Sequence, residues 1–106
     1  VAAGADGIMI HSRKNNPDEI FEFCDSFRSE NLNTPIVVVP TSYNQVTENE
    51  LIKHGINIVI YANQLTRSAF PAMEKTAKSI LKNHRAKEVD DSLMPFKDII
   101  TLIDEL

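Results

Sequence analysis

Gly4-Ala5-Asp6-Gly7-Ile8-Met9-Ile10 runs from a glycine through a small turn into an apolar run, and Gly55-Ile56-Asn57-Ile58-Val59-Ile60-Tyr61 repeats the pattern. In each, the glycine reads as a helix cap, where left-handed backbone carries no Cβ penalty, and the apolar run reads as a strand. A third run, Ile36-Val37-Val38-Val39, lies between them. All are near-continuous rather than alternating, and β-branched residues dominate. Strands buried on both faces of a parallel sheet read this way.

Working outward, the segments between the runs carry helical spacing. Residues 17–30 place Ile20, Phe21, Phe23, Cys24 and Phe27 on a helix. Asn16 is the expected cap, Pro17 the first helical position, and Asp18 with Glu19 fill the first turn, where the helix dipole favours anions. Thr47 with Glu50 makes a capping box for a short helix over 48–54, closed by Gly55. Residues 65–83 form a longer helix with Phe70, Met73, Ala77, Ile80 and Leu81 in a stripe. Residues 85–94 read as a polar linker. Residues 95–106 read as a C-terminal amphipathic helix with Phe96, Ile99, Ile100 and Ile103, for which Ser92 is a candidate cap. The order β-α-β-α-β-α-α predicts parallel pairing with right-handed crossovers, and hence an α/β fold. The repeated αβ turn serves barrels and doubly wound sheets alike.

Composition narrows the function. The chain has 106 residues, 42% apolar, with a net charge of −4. That is enough for a core but too short for a whole barrel of about 250 residues. A mildly acidic chain gives no reason to expect nucleic acid or an anionic membrane as partner. No apolar run approaches the roughly 18 residues of a membrane span. Cys24 is the lone cysteine, so no internal disulfide forms and a cytoplasmic, reducing setting is expected. The opening Val1-Ala2-Ala3-Gly4 reads as the end of a helix already under way, which makes a piece of a longer protein the expectation.

Ligands of parallel α/β folds bind beyond the C-terminal ends of the strands. That rule selects His11-Ser12-Arg13-Lys14, Pro40-Thr41-Ser42-Tyr43 and Ala62-Asn63-Gln64-Leu65-Thr66-Arg67, each polar after an apolar run. Such a set suits a small anionic or phosphorylated molecule. His11 either donates to an oxyanion or serves as a structural imidazole bonded to a backbone carbonyl. Ser12 either touches ligand or begins the turn. Arg13 and Lys14 are phosphate ligands or a solvated basic loop. Thr41 and Ser42 bond an anion or satisfy backbone groups after Pro40. Asn63 is a ligand donor or a helix cap, and Arg67 meets an anion or a neighbouring carboxylate. His54 and His84 fall near helix C-termini, where a cation needs no ligand role. Glycine-rich phosphate loops and histidine zinc spacing are absent. Almost all the carboxylates fall on helix faces or in the linker and none sits at a strand end, so neither an obvious magnesium ligand nor an obvious nucleophile is expected here.

The string Gly4-Ala5-Asp6-Gly7-Ile8-Met9-Ile10-His11-Ser12 is similar to the sixth barrel strand of the phosphoenolpyruvate mutase family. Val37-Val38-Val39-Pro40-Thr41-Ser42-Tyr43 resembles its seventh strand and following loop. Val59-Ile60-Tyr61-Ala62-Asn63, with Leu65 and Arg67, resembles its eighth strand and the start of its eighth helix. The family belongs to the isocitrate lyase/phosphoenolpyruvate mutase superfamily. The resemblance implies the C-terminal part, about strands 6–8 with their helices, of a (β/α)8 TIM barrel. Residues 1–84 would supply three terminal β/α units, 85–94 the linker and 95–106 the last helix. It implies an isomerase that interconverts phosphoenolpyruvate and phosphonopyruvate, forming a carbon–phosphorus bond with Mg2+ in phosphonate biosynthesis. The family's nucleophilic Asp, metal ligands, gating loop and substrate Arg all precede this segment, so Mg2+ would be bound outside it and the segment alone would be inactive. His11 matches a family His near the transferred phosphoryl group, and Ser12, Thr41 and Asn63 match pocket-lining or supporting positions. Family members exchange their eighth helix between subunits, which implies a homo-oligomer with 65–83 or the next helix packed on a partner.

Two other readings stand beside it. One is a relative with different chemistry, such as phosphonopyruvate hydrolysis, 2-methylisocitrate cleavage or oxaloacetate decarboxylation. The other is a stand-alone βαβ binding module, which would want an acidic cluster at the first strand end and a Lys after the last strand. Three barrel strands alone leave open sheet edges and an uncovered face, so the isolated piece is expected to oligomerise, swap elements or be poorly stable.

Overall fold

The computed structural model describes residues 1–102, in two compact units, the first Val1–Asn63 and the second beginning at Gln64. The first unit runs β1 (Ile8–Ile10), α1 (Asp18–Glu30), β2 (Ile36–Val38), α2 (Glu48–Lys53) and β3 (Ile58–Val59). The strands pair parallel in the order β1-β2-β3. Both glycines adopt left-handed backbone, Gly4 with φ 94° and Gly55 with φ 74°; Gly55 closes α2 as expected, whereas Gly4 closes a turn from Val1 rather than a helix.

The register shows how the sheet divides its faces. Lateral partners Ile8 and Ile36, then Ile10, Val38 and Val59, join one core with Ile20 and Cys24 of α1 and Leu51 of α2. The intervening row is Met9, Val37 and Ile58. Met9 is 62% exposed and Ile58 49%. The strands are therefore covered on one face, not two. A continuous apolar run signals that both faces meet apolar neighbours, but the two helices of this unit lie on only one. Both crossover helices lie on that face, as in the wall of a barrel, whereas a doubly wound sheet is covered on both.

Within α1 the buried positions are Ile20 and Cys24, with Phe27 packed against the core, one residue per turn. Burial raises the Cys24 thiol to about 11. Phe23 is 43% exposed and falls outside the stripe. Pro17 occupies the cap position with no side-chain cap bond, so Asn16 does not cap the helix. The Thr47–Glu50 capping box of α2 forms in full. His54 ends α2, its Nδ1 2.7 Å from Asp25 Oδ1 and its ring stacked on Phe21 at 3.8 Å.

The second unit contains α3 (Gln64–Asn83), a 3-10 helix (Lys87–Ser92) and α4 (Phe96–Ile100). Part of the stretch read as linker is thus ordered, with Val89 buried in the 3-10 helix, which packs against α3. Ser92 donates to the Val89 carbonyl, and Pro95 holds the cap position of α4 without a side-chain bond, so Ser92 is not its cap. The rest of the expected C-terminal helix, including Ile103, lies outside the described residues. α3 buries no residue, and Leu65, Phe70, Met73 and Leu81 are exposed. No helix among the described residues is long and apolar enough to cross a membrane.

Candidate functional site

Parallel pairing brings the C-terminal ends of all three strands to one rim. His11 follows β1 directly, Thr41 lies in the loop after β2, and Asn63 follows β3. The topology therefore gathers the expected positions at one end of the sheet. Each crossover helix starts from the C-terminal end of the strand before it, so the first turns of α1 and α2 come to the same rim. That delivers Glu19 and Glu48, carboxylates that the sequence reading left on helix faces.

The loop after β1 is tied by a closed network. The Ser12 hydroxyl donates to a Glu19 carboxylate oxygen. It also accepts from the Lys14 backbone N–H at 3.1 Å. Lys14 Nζ lies 2.5 Å from the other Glu19 oxygen. Ser12 is only 3% exposed, with its hydroxyl engaged by Glu19 and the Lys14 N–H. Lys14 is paired with Glu19 of α1, and Arg13 is exposed. The hydrogen bond from Lys14, then that from Ser12, holds the Glu19 carboxyl below its ordinary 4.5. His11 is exposed and borders a cleft of about 320 Å3 with Ile10, Glu19, Ile20 and Phe23.

The loop after β2 is less polar than its sequence suggests. Pro40 is buried, Thr41 and Ser42 are half-buried, and Tyr43 is fully buried in the core. Its hydroxyl has no hydrogen-bond partner among the described residues, and burial raises its pKa. Tyr43 therefore leaves the polar rim set and anchors the loop from below. Two residues on, Gln45 Nε2 donates to the Asn15 carbonyl at 2.7 Å, joining the loops after β1 and β2. At β3, the Tyr61 hydroxyl donates to Glu48 at 2.8 Å, and this bond raises the Tyr61 pKa. Asn63 is half-buried just before α3.

Sequence reasoning missed Glu19, Gln45, Glu48 and the burial of Tyr43. The carboxylates had a usable signal, since parallel β/α connections bring helix first turns to the strand C-termini. Tyr43 had none, because an aromatic after Thr-Ser reads equally well as rim or core.

The segments beyond the strand ends carry an imidazole, hydroxyls, a carboxamide and cations, residue types that can donate to oxyanions, while the cleft beside His11 is lined by Ile10, Glu19, Ile20 and Phe23. Among the described residues no three His, Cys, Asp or Glu side chains converge to hold a metal ion. The chemistry of a divalent cation is therefore assigned to no residue here.

Glu19 and Glu50 contribute to the acid sensitivity of the first unit. The backbone and side-chain bonds from Thr47 lower Glu50 as Lys14 and Ser12 lower Glu19. A carboxyl whose folded pKa is depressed contributes stability above its unfolded value and loses it as pH falls through the folded one. Melting is expected to be flat from neutrality down to about pH 5. It should drop below the ordinary Glu value of 4.5. In the double variant E19Q/E50Q the melting temperature should change less across that window, and an undiminished slope would exclude these groups as its source.

Comparison with known proteins places these features in context. A family model described as phosphoenolpyruvate phosphomutase matches residues 1–81. A phosphonopyruvate hydrolase from Variovorax sp. is 41% identical over 101 residues, covering 94% of this chain and 34% of the relative. The crystal structure of a phosphoenolpyruvate phosphomutase from Streptomyces platensis subsp. rosaceus superimposes with a TM-score of 0.82 at 33% identity, over 93% of this chain and 33% of that one. A phosphonopyruvate hydrolase in complex with oxalate and Mg2+ superimposes with a TM-score of 0.79 at 40% identity, over 93% of this chain and 34% of that one. The chain spans about a third of the length of these relatives.

Proposed function

The chain belongs to the phosphoenolpyruvate phosphomutase family, and on that premise we propose that it forms about strands 6–8, with their helices, of a (β/α)8 barrel whose whole protein interconverts phosphoenolpyruvate and phosphonopyruvate. The observation that carries this is the rim: His11, Thr41 and Asn63 leave consecutive parallel strands at one end of a sheet covered on one face only.

A phosphoryl group moving between oxygen and carbon spreads charge over three equatorial oxygens, and positioned donors stabilise it. His11 is the donor nearest in chain to a strand end, Thr41 and Asn63 are supporting contacts, and Ser12 acts from beneath, through the loop. Mg2+ and the nucleophile are contributed by residues outside this chain, and the oxalate and Mg2+ in the hydrolase complex support a divalent cation beside a small dicarboxylate. The uncovered row Met9, Val37 and Ile58 packs inside the barrel. The exposed apolar residues of α3 and α4 suit a second copy of the protein, giving a homo-oligomer with exchanged C-terminal helices.

A second reading is phosphonopyruvate hydrolysis. It is favoured by the higher identity to the hydrolase, 41%, than to the mutase structure, 33%. The experiment is to supply phosphonopyruvate and Mg2+ to the full-length protein and identify the product. Phosphoenolpyruvate is expected from a mutase. Pyruvate with phosphate would establish the hydrolase instead, and absence of either product would remove both.

A further inference from the structure

The network beneath His11 has a consequence for the reaction. We infer that Glu19 is a positioning residue, which sets the place of His11 through the Ser12 hydroxyl and the Lys14 ammonium; this rests on the role proposed for His11.

Ser12 is the peptide neighbour of His11 and is 3% exposed. Its hydroxyl donates to Glu19 of α1 and accepts from the Lys14 N–H of the loop, so it is held both as donor and as acceptor and its orientation is determined. The other Glu19 oxygen holds Lys14 Nζ at 2.5 Å. Residues 12–14 are thus wrapped around one carboxylate. That carboxylate is anchored by α1, whose next residue, Ile20, is in the core. Glu19 also borders the same cleft as His11. The chain leaving β1 therefore has its path fixed at residue 12 by a group held on a rigid helix. Without Glu19, Ser12 keeps only a weak turn bond and Lys14 returns to solvent. His11 then has no fixed neighbour on its C-terminal side. A displacement of about 1 Å at a reacting group is sufficient to lower a rate about 100-fold.

This role differs from a purely structural one because its effect passes through the imidazole. The test is a double-mutant cycle in the full-length protein with phosphonopyruvate as substrate, using wild type, E19Q, H11A and E19Q/H11A. Glu19→Gln keeps the shape and removes the charge that holds Lys14. Alone it is expected to lower kcat about 10- to 100-fold, with KM changed less than about threefold. On the H11A background it should lower kcat by less than about twofold, because the group it positions is gone. An equal loss on both backgrounds, or no loss on either, would overturn the proposal. Ser12→Ala should reproduce the same pattern.

If wild type turns over no phosphonopyruvate, the functional reading fails on its own and the positioning claim is read separately. The imidazole Cε1–Hε1 resonance of His11 is expected to shift and broaden in E19Q relative to wild type. An unchanged resonance would overturn the proposal regardless of activity.

Discussion

Exchange of His11 for alanine in the full-length protein is expected to lower kcat by roughly 100- to 1,000-fold, the usual loss on removing one preorganised donor from a developing oxyanion. KM should change far less, because the donor acts most strongly where charge develops. Stability should hardly move. His11 is exposed and lies just past the end of β1, and a surface side chain of this kind is worth within about 0.5 kcal/mol. His11→Asn keeps a donor of shorter reach and is expected to recover part of the loss. His54 gives the contrasting control. It pairs with Asp25 and stacks on Phe21, away from the strand ends. His54→Ala should therefore lower the melting temperature and leave kcat in place. Steady-state kinetics beside thermal melting of both variants reads the contrast. A wild-type kcat in H11A would remove His11 from the site.

Replacing Arg28 by alanine is expected to destabilise the protein by about 3 kcal/mol, since a hydrogen bond to a charged group contributes about 1.5–3 kcal/mol and several are lost together. Arg28 uses its whole guanidinium fork. Nε and Nη2 donate to the Gly55 carbonyl at 3.0 and 2.6 Å. Nη1 donates to the carbonyls of Asn31 and Thr34 at 3.1 and 2.8 Å. Nη2 donates also to Asn57 Oδ1 at 2.7 Å, and that oxygen accepts the Ile36 N–H at the start of β2. One side chain thus joins the end of α1, the entry to β2 and the turn before β3. Arg28→Lys should recover little, because a point charge on a flexible stem cannot reproduce the fork.

Gly55 makes the prediction sharper. Its φ of +74° suits glycine, and an added Cβ would lie 2.6 Å from Arg28 Nε and 2.9 Å from Cγ. Gly55→Ala is therefore expected to cost about 2–4 kcal/mol, from the left-handed backbone and the clash together. In the R28A background the clash is gone and only the backbone cost of about 1–2 kcal/mol remains. Urea unfolding of the two single variants and the double variant measures the coupling. Strict additivity would show that the guanidinium does not crowd this turn.

The sequence alone determined the element order, the parallel sheet and both glycine turns, because these follow from local chemistry. Near-continuous β-branched runs, a Thr47–Glu50 box and glycines at left-handed positions each carry their reason within a few residues. It also located the segments that hold His11, Thr41 and Asn63 beyond the C-terminal ends of the strands, since parallel pairing puts those ends on one side of the sheet. What needed the tertiary structure was every assignment that depends on a distant neighbour. Ser12 became a buried turn residue only when α1 brought Glu19 against it. Tyr43 moved from rim to core because α1 and α2 close over β2 there. Asn16 and Ser92 lost their expected capping roles to backbone geometry set by Pro17 and Pro95. The apolar runs announced two covered faces, while the helices of the first unit cover one, because what covers a sheet face is set by neighbours that the local sequence does not specify.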